Sequence, residues 1–377
     1  MSKSPLQSTA FSPTTLIVGI YAPYNRVSNI DSYYAEFRNL LRTNKTHYDH
    51  EMYLKLREID SAYFLTKGKR EELAAYCEEH RIKEIVFSEP LTAIQERNLN
   101  DILHCRVFDR THLILEIFEK AAHSAEGKAQ VAIAMLQHQK TRLAGKGIGM
   151  SQQAGGIGMR GGPGETQKEK ETRHIENTLL KLKRQLANLQ TTRDTQRKRR
   201  LNNRIPHICL IGYTNAGKSS ILNALTKSSV LAEDKLFATL DTTTRELYID
   251  GTKKGLLSDT VGFIQQLPHR LIEAFKSTLS ELEYADLLLH VVDVSDPNWR
   301  EHIDVVHNVL EELNVTKPMV YVFNKADLVE QTPELDVFMN AYQPHVITSS
   351  TSKEGLTPLI DYLAVWQQPT ADAQQEA

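Results

Sequence analysis

His207-Ile208-Cys209-Leu210-Ile211-Gly212-Tyr213-Thr214-Asn215-Ala216-Gly217-Lys218-Ser219-Ser220-Ile221-Leu222-Asn223-Ala224-Leu225 sets the fold of this chain. The first six residues are an apolar run that predicts a buried strand, and Ser219 to Leu225 predicts a helix. Between them the spacing Gly-x4-Gly-Lys-Ser is the P-loop pattern in the strand–loop–helix setting it requires. Its glycines let successive backbone N–H groups turn toward the α- and β-phosphates, and the helix N-terminus adds a positive dipole. Gly212, Tyr213, Thr214, Asn215, Ala216, Gly217, Lys218, Ser219 and Ser220 are therefore expected around a nucleoside triphosphate. Lys218 should reach the β- and γ-phosphates, and the Ser219 hydroxyl should ligate Mg²⁺.

Downstream, Asp259-Thr260-Val261-Gly262 follows the apolar Gly255-Leu256-Leu257. A carboxylate at a strand end can hold Mg²⁺, and the N–H of Gly262 can face the γ-phosphate. Asn324-Lys325-Ala326-Asp327 follows the strand-like Met319-Val320-Tyr321-Val322-Phe323. There Asp327 can accept from the guanine N1–H and 2-amino group. Adenine offers neither and would leave the carboxylate unpaired. Asn324 should tie this loop to the P-loop, while the Lys325 stem lies over the base. One helix and strand later, Ser349-Ser350-Thr351 stands where a short loop would meet the guanine O6. Between the P-loop and Asp259 lies Phe237-Ala238-Thr239-Leu240-Asp241-Thr242-Thr243-Thr244-Arg245, the place of the first switch. One of its four threonines should complete the Mg²⁺ shell and sense the γ-phosphate, and spacing does not choose among them. Phe263 follows Gly262 where many GTPases carry a glutamine that orients the attacking water. An apolar side chain cannot do that, so slow basal hydrolysis accelerated by a partner is expected. Catalysis is assigned to Lys218 and Gly262, and metal ligation to Ser219 and Asp259, each set completed by one of the four threonines.

Upstream, strands at Leu16–Tyr21, Ile85–Phe87 and Val107–Phe108 alternate with helices at Arg70–His80 and Thr92–Asn100, predicting a small α/β domain over 14–125. From 126 to 203 the composition changes. Gly127 to Leu143 predicts a helix, a glycine-rich segment runs from Gly145 to Gly164, and Ile175, Leu179, Leu182, Leu186 and Leu189 then form a heptad-like seam. That seam predicts an antiparallel helix pair. Residues 168–204 carry twelve Lys/Arg against four acids, an excess of eight positive charges. Such a run is either a solvated helix face or a surface for RNA backbone, and the Arg197-Lys198-Arg199-Arg200 block favours the latter. The fold class is thus α/β: a P-loop domain over 204–366 with a mainly parallel sheet, preceded by the small α/β domain and the helical pair. Residues 1–13 and 367–377 are expected to be disordered.

Composition excludes several classes. The 45 basic and 47 acidic side chains nearly balance, so global charge names no partner. Cys77, Cys105 and Cys209 are widely spaced, which argues against a disulfide framework or a zinc site. His47 and His50 form one His-x-x-His with no second pair, and Lys67, Lys69 and Arg70 could contact phosphate but read at least as well as a solvated helix start. No apolar run is long enough to span a bilayer, and no signal peptide is evident. A soluble, cytoplasmic monomer is expected, with at most peripheral membrane association.

With these residues in view, the chain resembles the HflX family of translational GTPases, in the Obg-related branch. The resemblance rests on Lys67-Gly68-Lys69-Arg70-Glu71-Glu72-Leu73, Gln95-Glu96-Arg97-Asn98-Leu99, Asp109-Arg110-Thr111, Leu113 to Phe118 and Glu126-Gly127-Lys128. Gly161-Gly162-Pro163-Gly164-Glu165-Thr166-Gln167 is the most distinctive element. Phe237–Asp241 and Asp259–Ile264 are similar to the family's switches. The resemblance implies that Thr239 is the switch threonine on Mg²⁺, completing both the catalytic and the metal-ligating set. It also implies binding to the large ribosomal subunit and its RNA, with splitting or rescue of stalled ribosomes under stress. An ATP site involving the first domain is implied as well, although that domain has no P-loop. Thr242 departs from the family's usual proline, and the glycine-rich segment is longer than the short form.

Two alternatives have distinct signatures. A GTP-controlled switch that recruits a protein and never touches RNA would use the helical pair as an apolar seam, whose binding would be insensitive to salt. An ATPase or small-molecule kinase would leave Asn324–Asp327 without purpose.

Overall fold

The computed structural model describes residues 13–24, 29–145, 167–202, 205–226, 235–266, 279, 281–330 and 332–367. The glycine-rich segment beyond Gly145, the Gly161–Thr166 motif, the side chains of Arg197–Arg200 and nearly all of both termini lie outside these residues. Contacts divide the chain into two units, Met1–Ile114 with Gln139–Thr172, and Leu115–His138 with Arg173–Ala377. The helical region expected over 126–203 is thereby shared between the units.

The first unit is built on β1 (Thr15–Tyr21), β2 (His50–Lys55), β3 (Glu84–Phe87) and β4 (Arg106–Phe108). All pairings are parallel, in the order β2-β1-β3-β4. Three helices connect them: α1 (Ile30–Asn44), α2 (Lys67–Glu79) and α3 (Ala93–Leu103). Parallel strands need such crossovers. Leu16, Val18, Ile20, Leu73, Ile85, Phe87 and Leu99 fill one core. Helix α3 begins with a complete capping box between Thr92 and Gln95. Both α1 and β2 escape the sequence reading, because the exposed positions of β2 blur its alternation. In this unit Arg110 is fully buried and ion-pairs with Glu36. Arg142 pairs with Asp109 at 2.9 Å.

Helix α4 (Arg110–Ala121) and helix α5 (Ala125–Gly145) cross from one unit to the other, as does α6 (Gln167–Asn202). Along the expected seam of α6, Ile175 and Leu179 are buried, Leu182 and Leu186 are half-buried, and Leu189 is exposed.

The second unit carries a six-stranded sheet in the order β10-β9-β8-β5-β7-β6. Its strands are β5 (His207–Gly212), β6 (Thr243–Ile249), β7 (Thr252–Asp259), β8 (Leu287–Asp293), β9 (Met319–Asn324) and β10 (His345–Ile347). All pairs are parallel except the β6–β7 hairpin. The flanking helices are α7 (Lys218–Thr226), α8 (Trp299–Glu312), α9 (Pro333–Asn340) and α10 (Thr357–Val365). Central β5 is buried along its whole length, as a strand covered on both faces must be. Ile208, Leu210, Leu257, Leu289, Val291 and Val322 form one core with α7 and α10. Because the sheet is parallel, the loops after β5, β7, β8 and β9 emerge at one edge, where an α/β sheet places its ligands.

Candidate nucleotide site

The expected residues converge at that edge. Thr214, Asn215, Gly217, Lys218, Ser219, Ser220, Phe237, Ala238, Thr239, Thr260 and Gly262 line one cleft, joined by Lys235. Lys218 is buried, and its ammonium donates to the carbonyls of Gly212 at 3.1 Å and Tyr213 at 2.7 Å. Burial pushes its pKa down to about 8, opposed by the nearby Asp259 carboxylate. A cation so held at the loop mouth is poised for anionic oxygen.

Ser219, Thr239 and Asp259 meet around one point. The Ser219 hydroxyl stands 2.8 Å from that of Thr239 and donates to Asp259 Oδ2 at 2.6 Å. Asp259 is fully buried, and among the described residues its Oδ1 has no hydrogen-bond partner. Burial raises its pKa, against the lowering pull of Lys218 and of hydrogen bonds from Ser219 and Thr239. A buried carboxylate oxygen with no donor is costly, and two hydroxyls beside it complete a hard oxygen set. This donor set fits Mg²⁺. Of the four threonines in the 237–245 segment, Thr239 is the one whose hydroxyl reaches Ser219.

Asn324 links the loops at the other end. Its Nδ2 donates to Ala216 O at 2.9 Å, and its Oδ1 accepts from Ser350 N at 3.1 Å. Gly217 has φ +97°, and a Cβ there would collide with the Asn324 amide, so this tie requires glycine. Ser349 donates to Asp327 Oδ1 at 2.6 Å and lies 2.7 Å from the Thr351 hydroxyl. Ala326 N donates to Thr348 O at 3.1 Å, fixing the turn that carries Asp327.

Leu240 and Asp241, expected at the nucleotide, do not line the cleft. Leu240 is buried in the core, and the Asp241 carboxylate turns to the start of α5. Tyr213, Ala216 and Val261 are buried behind the cleft; the Tyr213 ring stacks on His302 of α8 at 3.8 Å and 8°. Phe263 is buried too. Its backbone bonds the P-loop, with Thr214 N to Phe263 O at 2.8 Å and Phe263 N to Gly212 O at 3.2 Å. Two further residues near the site escape the sequence reading. Asp293 at the tip of β8 pairs with Lys325 at 2.6 Å, while its other oxygen accepts from Ser295 N at 3.0 Å. Its place at a strand's carboxyl end was the available signal. Lys235 offered none.

Comparison with known proteins finds GTPase families along the chain. The family described as "GTP-binding GTPase N-terminal" matches residues 31–119, "GTP-binding GTPase Middle Region" matches 121–200, and "50S ribosome-binding GTPase" matches 207–325. GTPase HflX of Caldanaerobacter subterraneus subsp. tengcongensis is 47% identical over 291 residues, covering 76% of this chain and 68% of that protein. The chain belongs to the HflX family of GTPases. GTPase HflX of Magnetococcus marinus is 46% identical over 312 residues, covering 82% of this chain and 72% of its own length. A solved structure, the GDP complex of SsGBP, covers 93% of this chain and 97% of its own at 22% identity and a TM-score of 0.49. Membership of the HflX family makes this chain a P-loop GTP hydrolase.

Proposed function

We propose that this HflX-family chain is a Mg²⁺-dependent, partner-stimulated GTPase that acts on the large ribosomal subunit, splitting or rescuing stalled ribosomes. The observation that carries the chemistry is the Ser219–Thr239–Asp259 cluster with its unpartnered buried Asp259 Oδ1. In this reading the P-loop amides from Gly212 to Ser220 hold the α- and β-phosphates, and Lys218 bridges toward the γ-phosphate. Ser219, Thr239 and Asp259 would hold Mg²⁺, which neutralises charge on the β- and γ-phosphate oxygens. The Gly262 N–H faces the γ-phosphate, Asp327 selects guanine under the Lys325 stem, and Ser349–Thr351 close over the base edge. Thr260 and Val261 carry the Asp259–Gly262 turn, and Phe237 to Asp241 carry Thr239.

Slow unaided turnover follows from Phe263. Its side chain is 1% exposed and cannot orient a water. A glutamine-free site leaves that task to a partner. The partner is read as ribosomal RNA because residues 168–204 bear an excess of eight positive charges and one matching family is described as "50S ribosome-binding GTPase". The division into an α/β domain over 14–125, a helical region over 126–203 and a GTPase domain over 204–366 belongs to the same reading, as do a cytoplasmic location and a monomeric state.

Sedimentation with ribosomes in the presence of a non-hydrolysable GTP analogue tests the reading. Co-migration with large subunits, weakening steeply between low and high salt, is expected for RNA-backbone contact. No co-migration would refute the ribosomal role. Salt-insensitive binding would instead support a protein-docking switch.

A further inference from the structure

Thr239 does not hold its position alone. Two residues before it, the Phe237 ring packs edge-on against Phe118 of α4, with centroids 4.6 Å apart at 81°. Both rings are buried. Phe237 has φ +57°, a left-handed backbone that a bulky residue adopts only when its surroundings enforce it. Two residues after Thr239, Asp241 Oδ2 accepts from His123 N at 2.8 Å and Ser124 N at 2.7 Å, while Oδ1 accepts from the Ser124 hydroxyl. Ser124 in turn caps α5, accepting from Gly127 N at 2.9 Å. A Cβ on Gly127 would collide with Asp241 Oδ1, so the approach of the carboxylate depends on a glycine at the first turn of α5. Residues 115–138 and 237–241 fall within the same compact unit.

These contacts form a built receptor rather than an incidental touch. Three donors converge on one carboxylate, which also lies at the positive end of the α5 dipole. An apolar anchor sits on the other side of the switch threonine. The chain between the anchors is five residues long, too short to move Thr239 far without breaking one of them.

We propose that Phe118, Ser124 and Gly127 are positioning residues for GTP hydrolysis, forming a cradle at the α4–α5 elbow that holds the Phe237–Asp241 loop so that Thr239 meets Ser219 and Asp259. The inference rests on the reading of Thr239 as the residue that completes the triphosphate site. It gives a partner acting on the helical region a direct lever on the switch: displacing the elbow withdraws Thr239, and binding that rigidifies it favours the triphosphate state. Phe118, Ser124 and Gly127 are not among the residues that line the nucleotide cleft.

The test uses the full-length chain and three readouts. With Gly127→Ala or Asp241→Ala, the affinity for a GTP analogue relative to GDP should fall on the order of tenfold, with kcat falling alongside, because misplacing a γ-phosphate contact penalises only the triphosphate state. GDP affinity should stay unchanged, which also shows that the fold is intact. Ser124→Ala should give a smaller drop, and Ser124→Thr, which keeps the hydroxyl, should restore it. In nucleotide-free protein, Asp241→Ala should raise hydrogen exchange at His123 and Ser124, whose amides lose their acceptor. Thr239→Ala separates the inference from the reading beneath it. If Thr239→Ala loses GTP preference while Gly127→Ala and Asp241→Ala keep it at the wild-type level, the cradle is refuted and the role of Thr239 stands. If Thr239→Ala changes nothing, both fall.

Discussion

At the residue scale, the proposed guanine end offers two carboxylates for which separable roles are expected. Asp327 is fixed by Ser349 at 2.6 Å and is read as facing the base directly. Asp327→Asn replaces an acceptor by a donor against two guanine N–H groups, so GTP and GDP should both weaken by about 3 kcal/mol or more, roughly a hundredfold. Xanthine, which presents a carbonyl where guanine has its amino group, should gain relative affinity. Titration with fluorescent guanine and xanthine nucleotides checks this, and unchanged selectivity would remove Asp327 from the base site. Asp293 acts one step back. Its pair with Lys325 is partly exposed, 17% and 25%, so its contribution is discounted to about 1 kcal/mol. Asp293→Ala should therefore weaken GTP and GDP equally, by roughly fivefold, through a freed Lys325 stem. An effect on GTP alone would contradict that role. The P-loop and Asn324–Asp327 were legible because each is a short-range pattern whose chemistry is complete within eight residues. Asp293 was not, since its place at a strand end is a weak signal and its partner stands 32 positions away.

At the element scale, the parallel order of the six-stranded sheet explains why four separated segments share one edge. The sequence alternation predicted this class correctly. It could not predict that β6 runs antiparallel beside β7, because a hairpin edge strand with three of its seven residues exposed reads as neither clean alternation nor a buried run. Strand β8 holds an unusual core residue. His290 is fully buried against His307 and Tyr321, with ring centroids 5.7 and 5.4 Å away, and among the described residues its Nδ1 has no partner. Burial, with the charges of His307 and Lys218, drives its pKa from 6.5 down to about 3. The unfolded chain takes up this proton below pH 6.5 while the folded chain refuses it until about 3. Stability is therefore fully present above the unfolded value and is lost as pH falls through that window. Between pH 6.5 and 5 the loss attributable to His290 should be about 2 kcal/mol. His290→Leu removes the titration and fills a similar volume. Denaturant melts at pH 7 and pH 5 should show the variant gaining on the wild type as pH falls. Parallel pH profiles would show that His290 does not set the acid limit.

At the scale of the whole molecule, two parallel sheets of different size invite the question of whether both hold nucleotide. Only the six-stranded sheet carries a P-loop at its carboxyl edge, and the family resemblance nevertheless implies ATP at the first domain. The four-stranded sheet has its own topological switch point between β1 and β3, the default place for a ligand in such a fold. Among the described residues, a carboxylate stands there. Glu89, just beyond β3, is fully buried and accepts the Tyr24 hydroxyl at 2.7 Å, while the Tyr33 hydroxyl donates to Ser88 O at 3.0 Å. Among the described residues, no glycine-rich turn there offers a triphosphate the backbone amides that the P-loop supplies. Hydrogen exchange resolves the two sheets in one experiment. Saturating Mg²⁺ and GTP should slow exchange in 212–220, 237–241, 259–262 and 324–327, with linkage of about 2.7 kcal/mol at a hundredfold excess over Kd. Millimolar ATP should leave residues 15–24 and 84–92 as they were. Protection there by ATP, in protein carrying Lys218→Ala to disable the first site, would establish a second nucleotide site. The helical region joining the units would then answer to two nucleotides instead of one.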